Sequence, residues 1–142
     1  SHYNLWKMAA DSTDPILVLE HDALFTKQLE YDTILDNNYG VIGINNPRGA
    51  TRKSAVYHTM IGESRWPVQP VPRIDDVMIP QGLAGNSAYI IKPAYAEMIL
   101  KKIKRIGAWP NDALLCYQNF SFLRVSNEYY TRVQGLPSTT TL

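Results

Sequence analysis

The sequence predicts an α/β fold, and three observations carry that prediction. Two nearly continuous aliphatic runs, Ile16 to Leu19 and Val41 to Ile44, have the length and composition of strands buried on both faces of a sheet. A third segment, opened by Lys92-Pro93 and closed by Gly107, repeats apolar residues at helical spacing: Tyr95, Met98, Ile99, Ile103 and Ile106. The chain has 142 residues and is 45% hydrophobic, enough for one domain with a real core. No internal repeat or linker divides it, so residues 1–142 read as a single domain.

The elements follow in order. Leu5, Trp6, Ala9 and Ala10 share one face of a short helix over Tyr3 to Ala10, with Trp6 as a packing residue. The turn pair Asp14-Pro15 then admits the Ile16–Leu19 strand, which delivers Glu20 and Asp22 in an acidic-x-acidic pattern. Thr26 to Leu35 reads as a helix or an irregular crossover, ending in the turn-rich Asp36 to Gly40. Strand, crossover and strand at this spacing predict that the two aliphatic runs form a parallel pair. From Asn45 to Gln81 the pattern dissolves among Pro47, Pro67, Pro70, Pro72 and Pro80. Such a stretch is either a substrate-facing excursion, the preferred reading, or a pair of short edge strands with proline at their rims. Ala88 to Ile91 makes another strand ahead of the long helix, and the basic run Lys101 to Arg105 is a solvated face of that helix. Asn111 or Asp112 can cap a short helix through Tyr117. Phe120 to Val125 and Tyr129 to Val133 are β-prone, and the polar tail Ser138 to Thr141 frays.

Composition narrows the function classes. A formal net charge of +1 offers no field for steering nucleic acid or an anionic membrane. The single cysteine, Cys116, excludes an internal disulfide and sits among Ala113, Leu114 and Leu115 as a small core residue. No apolar stretch is long enough for a membrane helix and no signal peptide stands at the amino end, so the expected location is the cytoplasm. Glu20 and Asp22 carry the chemistry. Two carboxylates so close together are costly to bury, and the carboxyl end of a strand is where α/β folds place ligands, so the pair is suited to a hard cation. The plainer alternative is a strand-end cap and a turn residue. His58 reads as a surface histidine, and Asp75 and Asp76 as solvated loop residues.

Read together, these segments resemble glycosyltransferase family 25, the lipopolysaccharide-type β-galactosyltransferases. Ser1-His2 followed by Leu5-Trp6-Lys7 resembles the family's Ser-His-x-x-Leu-Trp helix, and Leu17-Val18-Leu19-Glu20-His21-Asp22 its strand ending in Glu-Asp-Asp. Gly85-Asn86-Ser87-Ala88-Tyr89-Ile90-Ile91 resembles its Gly-x-x-Ala-Tyr-Ile-Ile block, Pro110-Asn111-Asp112 its Pro-Val-Asp segment, and Gln134 with Ser138-Thr139 its closing pattern. The resemblance implies a GT-A type mixed sheet flanked by helices and an inverting, metal-assisted transfer from a nucleotide sugar. It implies Glu20 and Asp22 as ligands of Mn²⁺ or Mg²⁺ and of the donor, and Asp112 as the base that takes the proton of an acceptor hydroxyl, where Asp112 read alone is equally a helix cap. Arg48, Arg52 and Lys53 could contact donor phosphates or an anionic acceptor, although flexible loop cations often do neither.

Two departures stand out. His21 occupies the central position of the family's acidic triplet, and imidazole can recruit a softer ion. The family also has a further amino-terminal segment before the Ser-His helix, so the resemblance covers about its carboxyl-terminal two-thirds. The expected activity is transfer of a hexose, galactose above others, from a uridine-diphosphate donor to a saccharide. The alternative is a catalytically silent module of the same fold that binds carbohydrate or a partner, and a third class is a structural or assembly domain. The sheet side left open by the shorter amino end is expected to be covered by a second copy of the chain or by further sequence.

Overall fold

The structure is a computed structural model and describes residues 1–30, 32, 34, 39–50, 53–74, 78–83 and 85–135. Helix α1 (His2–Asp11) leads into strand β1 (Ile16–Leu19), a tight turn and strand β2 (Ala23–Phe25). Strand β3 (Val41–Gly43), helix α2 (Ser54–Gly62) and strand β4 (Val68–Pro70) follow. Strand β5 (Ala88–Ile91) feeds helix α3 (Pro93–Ile106), and the short helix α4 (Asn111–Leu114) precedes strands β6 (Leu123–Ser126) and β7 (Thr131–Val133). The α/β class read from the sequence is therefore found: a five-stranded mixed sheet in the order β1-β5-β3-β6-β4, a two-stranded sheet β2-β7, and helices.

β5 forms the centre of the hydrophobic packing because all four of its residues are buried and alternate between two clusters. Tyr89 and Ile91 join Trp6, Ala9, Val18, Val41, Ala96 and Ile99 on the side where α1 and α3 pack together. Ala88 and Ile90 join Leu29, Ile34, Ile42, Ile44 and Tyr130 on the other. The α3 stripe buries Ala96 and Ile99 and half-buries Tyr95, Ile103 and Ile106, whereas Met98 stands 48% exposed outside it. Lys92 precedes the helix, Pro93 occupies its first turn, and Gly107 ends it with a positive φ and an N–H bonded to the Ile103 carbonyl.

Several expectations are corrected. β1 and β3 run in the same direction but are not partners, because β5 lies between them and is antiparallel to both. β3 finds its parallel partner in β6 instead. Nor is β1 buried on both faces: it is an edge strand whose Leu19 is 43% exposed. An aliphatic run reports apolar faces and says nothing of whether both edges are paired. The Asn45–Gln81 stretch is not structureless. It holds α2, whose Tyr57 and Ile61 are buried a helical turn apart, and β4, a single edge strand ending on Pro70 where the alternative reading expected a pair. α4 is a single turn ending at Leu114, and its cap position belongs to Pro110, so neither Asn111 nor Asp112 caps it. Among the described residues no helix is long and apolar enough to cross a membrane.

Candidate functional site

The carboxyl ends of β1 and β3 and the amino end of β5 meet at one rim of the sheet. There the backbone of Glu20, His21 and Asp22 is locked into a tight turn. The Glu20 N–H donates to the Ser87 carbonyl at 2.8 Å, the Ala23 N–H donates back to the Glu20 carbonyl at 3.1 Å, and the Asp22 carbonyl accepts from the Gln134 N–H at 2.9 Å. The turn is thus tied to the start of β5 and the end of β7. His21 lies exposed between the two acids, outside the cleft lining.

A cleft of about 390 Å³ opens beside this turn. Glu20 and Asp22 form one side, Gly49 and Ala50 from the loop after β3 and Gly85, Asn86 and Ser87 before β5 form others, and Asn111 and Asp112 from α4 close it near Val133. The three acids singled out in the sequence therefore share a single cavity, although Asp112 is ninety residues from Asp22 along the chain. Gly85 permits the close approach of two walls: its φ is +74°, and a Cβ there would lie 3.0 Å from the Ala50 Cβ.

The polar atoms of the cleft are unequally satisfied. Glu20 Oε1 accepts from His2 Nε2 at 3.0 Å, His2 Nδ1 meets the Tyr89 hydroxyl at 2.7 Å, and Trp6 Nε1 donates to that hydroxyl at 2.8 Å. Burial foremost pushes the Tyr89 phenol far above its ordinary value; the charge of Glu20 adds to this and the Trp6 hydrogen bond opposes it. Asp22 Oδ1 and Asn86 Nδ2, in contrast, are buried with no hydrogen-bond partner among the described residues. Asp112 is exposed, and its Oδ1 accepts the neighbouring Ala113 N–H at 3.1 Å.

An anionic oxygen buried without a donor is a costly arrangement that a cation relieves, so Asp22 fits a divalent ion. Among the described residues no group of three or more His, Cys, Asp or Glu is arranged to hold a metal. Two carboxylates, with water and diphosphate oxygens completing the shell, are nevertheless a sufficient protein contribution for Mg²⁺.

The expected cations sit differently. Arg48 is exposed outside the cleft lining and donates to His58 Nε2 at 3.2 Å, while His58 Nδ1 meets the Tyr129 hydroxyl at 2.8 Å. His58 is accordingly half-buried between two partners rather than a lone surface histidine. Arg52, Asp75, Asp76 and the Ser138–Thr141 tail lie outside the described residues. Sequence reasoning assigned no role to Asn86 and gave Trp6 packing alone. The available signal was chemical: a Tyr within the buried run Ala88–Ile91 and a Trp on the buried face of α1 each need a hydrogen-bond partner.

No family model, curated protein or solved structure matches this chain.

Proposed function

We propose that the chain is a glycosyltransferase-like domain of GT-A type that transfers a hexose, galactose above others, from a uridine-diphosphate donor to a saccharide hydroxyl. The observation that supports this best is the gathering of Glu20, Asp22 and Asp112 around one cleft, with Asp22 Oδ1 buried and uncompensated. In this reading Glu20 and Asp22 would hold Mn²⁺ or Mg²⁺. Such an ion neutralises the charge that develops on the departing group. The acceptor oxygen bonds to the anomeric carbon from the face opposite the nucleotide. The bond from that carbon to the β-phosphate oxygen breaks with its electron pair leaving on the diphosphate, and the hydroxyl proton passes to Asp112. Asp112 suits this role through its position at the cleft mouth, where solvent can take the proton onward. Arg48 lies outside the cleft lining and one of its terminal nitrogens is bonded to His58, so contact with a donor phosphate would use its remaining N–H groups. Association with a second copy along β1 belongs to the same reading.

The test is release of uridine diphosphate from its galactose conjugate, with Mn²⁺ and a saccharide acceptor, alongside calorimetry of the nucleotide with and without Mn²⁺. Metal-dependent nucleotide binding with turnover supports the enzyme. Binding without turnover points to the silent module, and no binding at all overturns the reading.

A further inference from the structure

The chain of contacts behind Glu20 runs in one direction. Trp6 Nε1–H can only donate, and it donates to the Tyr89 oxygen at 2.8 Å. The Tyr89 hydroxyl keeps its own hydrogen for His2 Nδ1 at 2.7 Å, which makes that nitrogen an acceptor. The ring hydrogen then sits on Nε2 and is donated to Glu20 Oε1 at 3.0 Å. Every donor meets an acceptor. In the reverse arrangement, with the hydrogen on Nδ1, the Tyr89 oxygen would receive two donors, and its own hydrogen, on a side chain 0% exposed, would have no acceptor among the described residues.

We propose that His2 is the positioning residue for Glu20, oriented in turn by Tyr89 and Trp6, and that it holds Oε1 so that Oε2 is presented as the cation ligand. This rests on the reading of Glu20 as a ligand of a divalent ion. The anchors are rigid: Trp6 is 1% and His2 8% exposed, and the His2 ring stacks on Tyr89 with centroids 5.7 Å apart and planes 20° apart. Glu20 itself stands at the surface, its side chain 38% exposed, with rotamer freedom that an unsupported glutamate would lose only on binding. Oε2 has no hydrogen-bond partner among the described residues. Partners of this kind, behind a ligating carboxylate or imidazole, set its orientation and with it the affinity of the site.

The test uses the full chain and two readouts. Nitrogen-15 spectra of the His2 ring report which nitrogen carries the hydrogen, and Mn²⁺ affinity is read from the paramagnetic resonance signal of the free aquated ion. The expected tautomer has hydrogen on Nε2 in the wild type, and Tyr89→Phe releases Nδ1 from its bond while keeping the aromatic ring in the core. Tyr89→Phe and His2→Leu weaken Mn²⁺ binding about tenfold. His2→Gln, whose side-chain amide can still donate to Glu20, stays close to the wild type. Should His2→Leu fail to fold, Tyr89→Phe against His2→Gln carries the comparison. A hydrogen on Nδ1 in the wild type, or Mn²⁺ affinity unchanged in Tyr89→Phe, overturns the proposal. A wild-type protein that binds no Mn²⁺ overturns the proposed function and this proposal with it, whereas the first two outcomes overturn this proposal alone.

Discussion

Asp22 places a carboxylate oxygen in the cleft wall where burial is costly. Its Oδ1 is buried without a partner among the described residues, a cost that a bound cation would offset. Asp22→Asn should therefore separate stability from binding. Without metal the variant gains about 1 kcal/mol, because a neutral amide is cheaper to bury than an unpaired charge. In a chain of this size that raises the melting temperature by roughly 2–4 °C, readable by calorimetry. Affinity for Mn²⁺ and for uridine diphosphate falls in the same variant, and a loss of stability with unchanged affinity would contradict the cation role. Asp112→Asn acts on the other side of the cleft. Under the proposed mechanism it should lower turnover by about 10²–10⁴-fold and leave nucleotide binding unchanged, since there it would remove the proton acceptor and no ligand. At this scale the sequence showed where the acids stand, since Glu20 and Asp22 follow an apolar run and line the cleft at its end. It was silent on Asn86 and on the His2–Tyr89 contact, because partners 87 positions apart are brought together only by tertiary folding.

Among the elements, those with strong local periodicity were the readable ones. α1, β5 and α3 lie close to their expected bounds because each stripe or run is long relative to its ends. α2 was hidden because β-branched residues and flanking prolines mask its buried Tyr57 and Ile61. The β1–β3 pairing was misjudged because β5 enters between them from 45 residues downstream. The loop before β5 carries the sharpest test of how these elements build the cleft. Gly85→Ala places a methyl 3.0 Å from the Ala50 Cβ at a φ of +74°, so it should destabilise the protein by about 1–3 kcal/mol and weaken nucleotide binding by parting two cleft walls. Urea denaturation checks the first part, and an unchanged midpoint would mean that the loop relaxes around the methyl. A smaller effect belongs to the turn between β6 and β7. Lys27 holds the Glu128 carboxyl below its ordinary 4.5, through its 2.7 Å hydrogen bond first and its charge second. A depressed carboxylate stabilises above its unfolded value and loses that contribution as pH falls. With both side chains well exposed, the loss below about pH 4.5 should stay under about 1 kcal/mol and vanish in high salt.

At the level of the whole molecule, the sheet has one edge, β1, that pairs on one side only among the described residues. β1 pairs with β5 alone, Leu19 is 43% exposed, and the strand Ile16–Leu19 contains no charge, proline or bulge of the kind that discourages another strand from adding to an edge. The direction of its hydrogen bonds can be derived. The Glu20 N–H points to Ser87 on the β5 side, so by the alternation of an antiparallel pair the N–H groups of Leu17 and Leu19 point outward. A second copy can meet them through its own β1, in the self-complementary pairing that two-fold dimers use. The wild type should therefore associate reversibly as its concentration approaches about 100 µM. Leu19→Lys, a change on an already exposed side chain, should abolish association while leaving the melting temperature nearly unchanged. Leu17→Pro should also abolish association without removing a β5 hydrogen bond, because the N–H it deletes faces away from the sheet, but it lowers the melting temperature because Leu17 packs against the core. Sedimentation velocity across a concentration series measures this directly. A wild type that remains monomeric throughout would show that the edge is tolerated as it stands, and association that persists in both variants would place the contact on another surface.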